Sequence, residues 1–251
     1  MGTAFMLTFF LVSCVLCLVE GFVKISPKLE ICSKSRPDLN NCIKVALGTL
    51  IANLRAGSPE LSVPALDPMI ISHVESDYED QDFGMMESFS NVFMFGFCDI
   101  KFNTVKVSLQ QDKLEISSKI PMLSFQGHYK SDGRVLTYPL ASLGTFEVNL
   151  TDVTMMWIIY FKRTAVNGTK YLQVEQLFSE MVPLDVNINV VERFNEDNKL
   201  QQDRLNSVLN ESSAELFIHF KPKLTSLINQ IFVSLINNVL SQFPENEVLP
   251  D

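Results

Sequence analysis

The chain changes its hydrophobic period several times. Residues 4–19 (AFMLTFFLVSCVLCLV) are apolar apart from Thr8 and Ser13. From Leu39 the apolar residues recur every three or four positions: Leu39, Cys42, Ile43, Ala46, Leu47, Leu50, Ile51 and Leu54. That spacing places one apolar stripe on a helix. Ser35 is its expected cap, Pro37 and Asp38 suit its first turn, and Gly57 is its expected stop. The next stretch, Pro59-Glu-Leu-Ser-Val-Pro-Ala-Leu-Asp-Pro68, excludes helix and predicts a stiff, extended connector.

From Met69 to about Phe194 the period is two. Phe89, Asn91, Phe93, Phe95 and Phe97 are expected on one face. Leu114, Ile116, Ser118, Ile120 and Met122 alternate with Lys113, Glu115, Ser117 and Lys119, and Val186, Ile188 and Val190 with Asp185, Asn187 and Asn189. Asp132-Gly133 and Asn167-Gly168 are hairpin-turn signals. These features predict a long antiparallel sheet with one wet and one apolar face, and strands of this length curl. From about Leu200 to Gln242 the helical period returns along one broad apolar face. Pro222, which cannot donate to the Ile218 carbonyl, is expected to kink or break that helix. The fold class is therefore α+β: a long curved antiparallel sheet wrapped around a long C-terminal helix.

The ends add a compartment. Residues 1–21 have the pattern of a signal peptide, with a membrane anchor as the alternative, leaving residues 22–251 as a single domain. No later apolar run is long enough to span a bilayer. In an oxidising compartment Cys32 and Cys42 are the natural disulfide pair, stabilising by roughly 2–3 kcal/mol. Cys98 is left as a buried free thiol or an intermolecular bridge. Asn149, Asn167 and Asn210 open Asn-x-Ser/Thr sequons and are candidate glycan sites. The net charge of −9 disfavours nucleic acid and anionic membranes as partners.

Catalytic patterns are absent from the sequence. There is no Gly-x-Ser-x-Gly elbow, Gly-rich phosphate loop or His-Glu-x-x-His. His73, His128 and His219 lie far apart and read as structural or surface residues. The acidic run Glu75 to Asp82 lacks calcium-loop spacing. No cofactor or metal is expected. The chain has 19 Phe and 10 Met, many on inward strand positions, which leaves room for an adaptable apolar cavity.

The order of these features resembles the takeout and juvenile hormone-binding protein family of insects. The likeness is carried by Cys32-x9-Cys42, Pro64-Ala-Leu-Asp-Pro68, Asp132-Gly133, Asn149-Leu-Thr-Asp-Val153 and Asn167-Gly-Thr-Lys-Tyr-Leu-Gln-Val-Glu175. Phe194-Asn195, Leu216-Phe-Ile-His-Phe-Lys-Pro222 and the tail Phe243-Pro-Glu-Asn-Glu-Val-Leu-Pro250 complete it. The resemblance implies the sheet-around-helix (super-roll, TULIP-like) fold and an elongated internal apolar tunnel. It also implies a secreted carrier, in haemolymph or another extracellular fluid, for juvenile hormones, fatty-acid-like lipids or other hydrophobic compounds. The takeout branch is linked to feeding and circadian behaviour. Hormone carriers of the haemolymph type have a second disulfide, and with only Cys98 left over the sequence leans to the takeout branch.

From face and period, the expected lining is Leu50, Leu54, Phe93, Phe95, Met122, Phe125, Met156, Phe217, Phe220, Leu224 and Ile228. The leading expectation is a non-catalytic carrier of a hydrophobic small molecule, without stable membrane insertion. The alternative is an interaction protein of the same fold, its cavity filled by its own side chains, acting through surface contacts such as those with a receptor. An ester-hydrolysing enzyme is disfavoured by the missing nucleophile motif.

Overall fold

A computed structural model describes residues 31–79, 83–135, 138–192 and 199–251. The signal-peptide segment 1–21, the end of the acidic run at 80–82 and Phe194-Asn195 lie outside the described residues. Helix α1 (Leu39–Asn53) is followed by β1 (Met69–Glu79) and β2 (Phe83–Phe95), then a 3-10 turn at Phe97–Asp99. β3 (Lys101–Ser108), β4 (Lys113–Val135), β5 (Tyr138–Val166), β6 (Thr169–Val182) and β7 (Asp185–Glu192) complete the strands. Helices α2 (Lys199–Glu211), α3 (Ser213–Leu240) and α4 (Glu245–Val248) end the chain.

All seven strands form one antiparallel sheet. Its spine is the β4–β5 ribbon, in register from Lys113↔Tyr160 to Val135↔Tyr138. One half of the ribbon is flanked by β3 and β6, the other by β2 and β7. The halves meet where both strands turn two consecutive residues outward, Pro121-Met122 and Thr151-Asp152, between the buried Ile120, Leu123, Leu150 and Val153. Pro121 has no N–H to give the ladder, and Asp152 adopts φ 48°. Inward positions are therefore even before the outward pair and odd after it in both β4 and β5. β2 has a similar irregularity, with a register shift between Ser90 and Phe93 and Asn91 at φ 51°. Such a bulge changes which face the following residues occupy.

Long helix α3 lies inside the curve. Phe220 on α3 meets Phe89 of β2 edge-on, with centroids 5.8 Å apart, and Phe232 stacks on Phe97 and Trp157 at 4.8 and 5.3 Å. The same helix packs along β6 and β7, on the opposite side of the sheet from β1 and β2. One helix can reach both sides because the sheet curves around it. The core runs continuously from Leu54, Leu66 and Met69 through Ile120, Leu150 and Met155 to Ile228 and Phe232.

Several local expectations are corrected. The first helix begins at Leu39, and the Ser35 hydroxyl bonds Ser33 instead of a helix N–H. It ends at Asn53, with Gly57 (φ 81°) in the turn beyond. The proline-rich connector folds on a Ser58–Val63 bridge and is not extended. Asp132 and Gly133 lie within β4, paired with Ala141 and Leu140, because the ladder continues past them. Asn167-Gly168 does form the two-residue turn between β5 and β6, both residues having positive φ.

The C-terminal helix is interrupted at Ser212, and α3 passes through Pro222. Pro222 and Ile218, whose carbonyl loses its partner, are on the exposed side, where water can serve that carbonyl. The interruption at Ser212 accompanies a change of neighbour: α2 follows β7 and α3 follows β6.

Candidate functional site

The disulfide Cys32–Cys42 is formed and fastens the N-terminal segment to the first turn of α1. That segment also holds the C-terminal tail. The Lys34 N–H donates to the Pro250 carbonyl at 2.7 Å, and its ammonium pairs with Asp251 and with the buried Glu245. Glu245 in turn receives Arg163 at 3.0 Å, and Arg163 also pairs with Asp112 at 2.6 Å. Asp112 and then Glu245 hold the Arg163 guanidinium above its ordinary range. At the far end of α1, Arg55 pairs with Asp67 and Asp99. Asp67, from the Pro64–Pro68 motif, also accepts the Gly96 N–H at 3.0 Å. These ion clusters tie chain segments together.

A groove of about 710 Å³ opens between β6 and α3. Leu177, Phe178, Pro222 and Val233 supply its apolar walls, and Lys221 stands at its rim, paired with Glu180 at 2.6 Å. The polar atoms come from Ser179, Thr225, Asn229 and Gln230. Ser179 donates to the Asn229 side chain, whereas the Thr225 hydroxyl is buried without a partner. That hydroxyl is closed off from solvent, and the trough combines apolar walls with a polar strip of Ser179, Ser226, Asn229, Gln230 and Ser234.

None of the eleven expected lining residues lines this groove. Leu54, Phe125 and Ile228 are buried in the core, and Leu50, Phe217 and Leu224 pack against it half-buried. Phe220 is half-buried against Phe89. Four others are displaced by the parity changes. Val92 and Met94 take the inward positions, so Phe93 and Phe95 lie on the other face. Met122 and Met156 also point outward, 56 % and 50 % exposed, while Leu123, Met155 and Trp157 are buried. The groove's Thr225, Ser226, Asn229 and Gln230 escape a sequence search because their helical spacing reads as a solvated face.

Cys98 is free and buried. Burial, aided by Asp67, pushes its thiol up to about 11, so at neutral pH it is not a thiolate nucleophile. His128 lies on β4 and His219 on α3, far apart along the chain. Among the described residues no group of three His, Cys, Asp or Glu side chains could hold a metal ion, and no helix is long and apolar enough to cross a membrane. Of the three sequons, Asn167 sits exposed at a hairpin tip and Asn149 is half-buried in β5. Asn210 is not on an exposed segment: its amide donates to the Ile188 carbonyl and accepts the Ile188 N–H at 2.6 and 2.9 Å.

The chain resembles the circadian clock-controlled protein daywake of Drosophila melanogaster, with 22 % identity covering 94 % of this chain and 91 % of that protein. The Drosophila yakuba daywake protein is 20 % identical, covering 82 % of each chain. The crystal structure of takeout 1 from Epiphyas postvittana superimposes with a TM-score of 0.72 at 18 % identity, covering 89 % of this chain and all of that one. That likeness shows the fold, a sheet rolled around its C-terminal helix. The sequence pattern of the haemolymph juvenile hormone binding proteins (JHBP) matches residues 8–250, and the chain belongs to that family.

Proposed function

We propose that this protein is a secreted, non-catalytic carrier of a hydrophobic small molecule, a juvenile hormone-like terpenoid, a fatty acid or a similar lipid. The observation that carries the reading is the groove of about 710 Å³ beside the long helix, with apolar walls and a polar strip along it. Its size is within the range of small-molecule sites. Burying roughly 300–400 Å² of apolar ligand surface contributes about 8–10 kcal/mol before association entropy, which leaves micromolar or tighter binding. Family membership supports the same reading, and residues 1–21 support secretion. In this account the ligand enters between β6 and α3 and continues toward the axis as an internal tunnel.

Native mass spectrometry of the secreted, deglycosylated protein, followed by extraction of bound material, tests it. A discrete lipid or terpenoid mass is expected. A clean apo mass, unmoved by added juvenile hormone or a long-chain fatty acid, overturns it.

A second reading is favoured by a different observation. Phe97, Trp157 and Phe232 fill the space between sheet and helix ring against ring beside the buried Ile228. On that reading the interior is already occupied and the protein acts through its surface.

A further inference from the structure

We propose that the outer face of the sheet around Phe178 is a docking surface for an anionic phospholipid bilayer. The wet face of an antiparallel sheet is ordinarily polar. Here Met122, Met156, Ile158, Phe178, Val182 and Leu184 are 37–78 % exposed. Cross-strand register makes them one surface. Ile158 pairs with Phe178, Met156 with Glu180 and Thr154 with Val182. Met122 pairs with Thr151, whose carbonyl receives the Leu184 N–H. A contiguous exposed apolar area of this kind marks an interaction site.

The charge beside it identifies the partner. On the β3 side, Lys101 lies directly opposite Lys119, both exposed. Among the described residues neither forms an ion pair. Like charges in cross-strand register cost stability, and a negative surface relieves that cost. Lys106, also exposed, lies further along the same face of β3. Of the carboxylates on this face, Glu115 and Glu180 are paired with Lys113 and Lys221, while Asp152 and Asp185 stand exposed at its β5–β7 end, so the positive charge is confined to the β3 side. A row of lysines beside exposed Phe, Met and Leu fits the boundary between lipid headgroups and acyl chains. Nucleic acid would satisfy the lysines and leave the apolar side chains in water. The net charge of −9 disfavours approach at long range, but screening over about 8–10 Å leaves the local charges in control at contact.

Phe178 also walls the groove, so docking on this face brings the groove to the bilayer, where an apolar ligand is stored. That consequence rests on the carrier reading; the docking itself does not. The test is flotation of the purified full-length secreted protein with vesicles of phosphatidylcholine, alone or with about 30 % phosphatidylserine. Partition onto the anionic vesicles should exceed that onto neutral ones about tenfold or more, and fall in ~0.5 M salt. Lys101→Gln with Lys119→Gln should lower it about 30-fold, from ~1 kcal/mol per lysine. Phe178→Ser should lower it about tenfold. Lys130→Gln with Lys199→Gln, away from the face, should change it little, and circular dichroism should show every variant folded. Equal partition onto both lipids, none onto either, or equal sensitivity to both lysine pairs overturns the proposal. So does a concentration-dependent dimer abolished by Phe178→Ser, which assigns the face to a second copy. If mass spectrometry finds a ligand and flotation fails, the carrier reading stands and the docking surface falls.

Discussion

Strand β7 is paired on one edge only, and α2 closes the other with side-chain amides. Gln202, Asn206 and Asn210 are spaced by four and share a helix face. Asn206 accepts the Val190 N–H at 2.8 Å and donates to the Val190 carbonyl at 3.2 Å, so its amide acts as a peptide group of a missing strand. Asn210 does the same for Ile188, and Gln202 accepts the Glu192 N–H while donating to the Val190 carbonyl. Asn206→Ala removes both bonds to Val190, a loss of about 1–3 kcal/mol. Alanine returns roughly 0.6 kcal/mol as the better helix former. The net loss is about 1.5 kcal/mol, or about 3–6 °C in Tm for a domain of this size. The Val190 amide should exchange about tenfold faster with solvent. Asn206→Asp keeps the acceptor but sets a carboxylate against the Val190 carbonyl, and should lose at least as much. Thermal melts and residue-resolved hydrogen exchange decide the matter. If Asn206→Ala melts at or above the wild-type temperature with Val190 exchange unchanged, the amide ladder contributes nothing and the reasoning fails.

Three further outcomes follow from the same geometry. Gly96→Ala should cost more than about 3 kcal/mol, read as lost yield or a collapsed melt. Gly96 has φ 85°, and an added Cβ would stand 2.2 Å from the Met122 carbonyl oxygen. The Cys98 thiol, held up at about 11 by burial, stays protonated in the fold while the unfolded chain ionises from about 9. Stability should be unaffected by this group below pH ~9 and fall between ~9 and ~11, by up to about 1.4 kcal/mol per unit. Cys98→Ala should flatten that slope in denaturant titrations, and an unchanged slope would show that another group sets it. In a secreting host, Asn167→Gln should remove a glycan by mass, whereas Asn210→Gln should lower Tm and leave the glycan mass unchanged; occupancy at Asn210 in folded protein contradicts the ladder.

Periodicity carried the class of each element, because burial of one face imposes it over many residues. It did not carry phase. A single outward pair at Pro121-Met122, answered by Thr151-Asp152, inverts every later position in both strands of the spine, and the bulge at Asn91 does the same in β2. The signals were present: Asn and Asp tolerate positive φ, and a proline in mid-strand removes a ladder donor. They are too weak to outweigh an alternation that continues on both sides of them. Polar residues were harder still. Asn40, Asn206, Asn210 and Asn237 look like solvated helix positions, yet they receive backbone N–H groups from β3, β7 and β6. Edge protection of this kind depends on which strand lies beside the helix, a tertiary fact that no local spacing encodes. The same reasoning explains why Met122 and Met156 matter. Read by alternation they belong to an interior wall; placed by the inverted phase they stand on the outer face beside Ile158 and Phe178. On the docking proposal, Met122 and Met156 stay apolar on that face because a bilayer takes them up there, and the exposed lysines of β3 and β4 meet its headgroups.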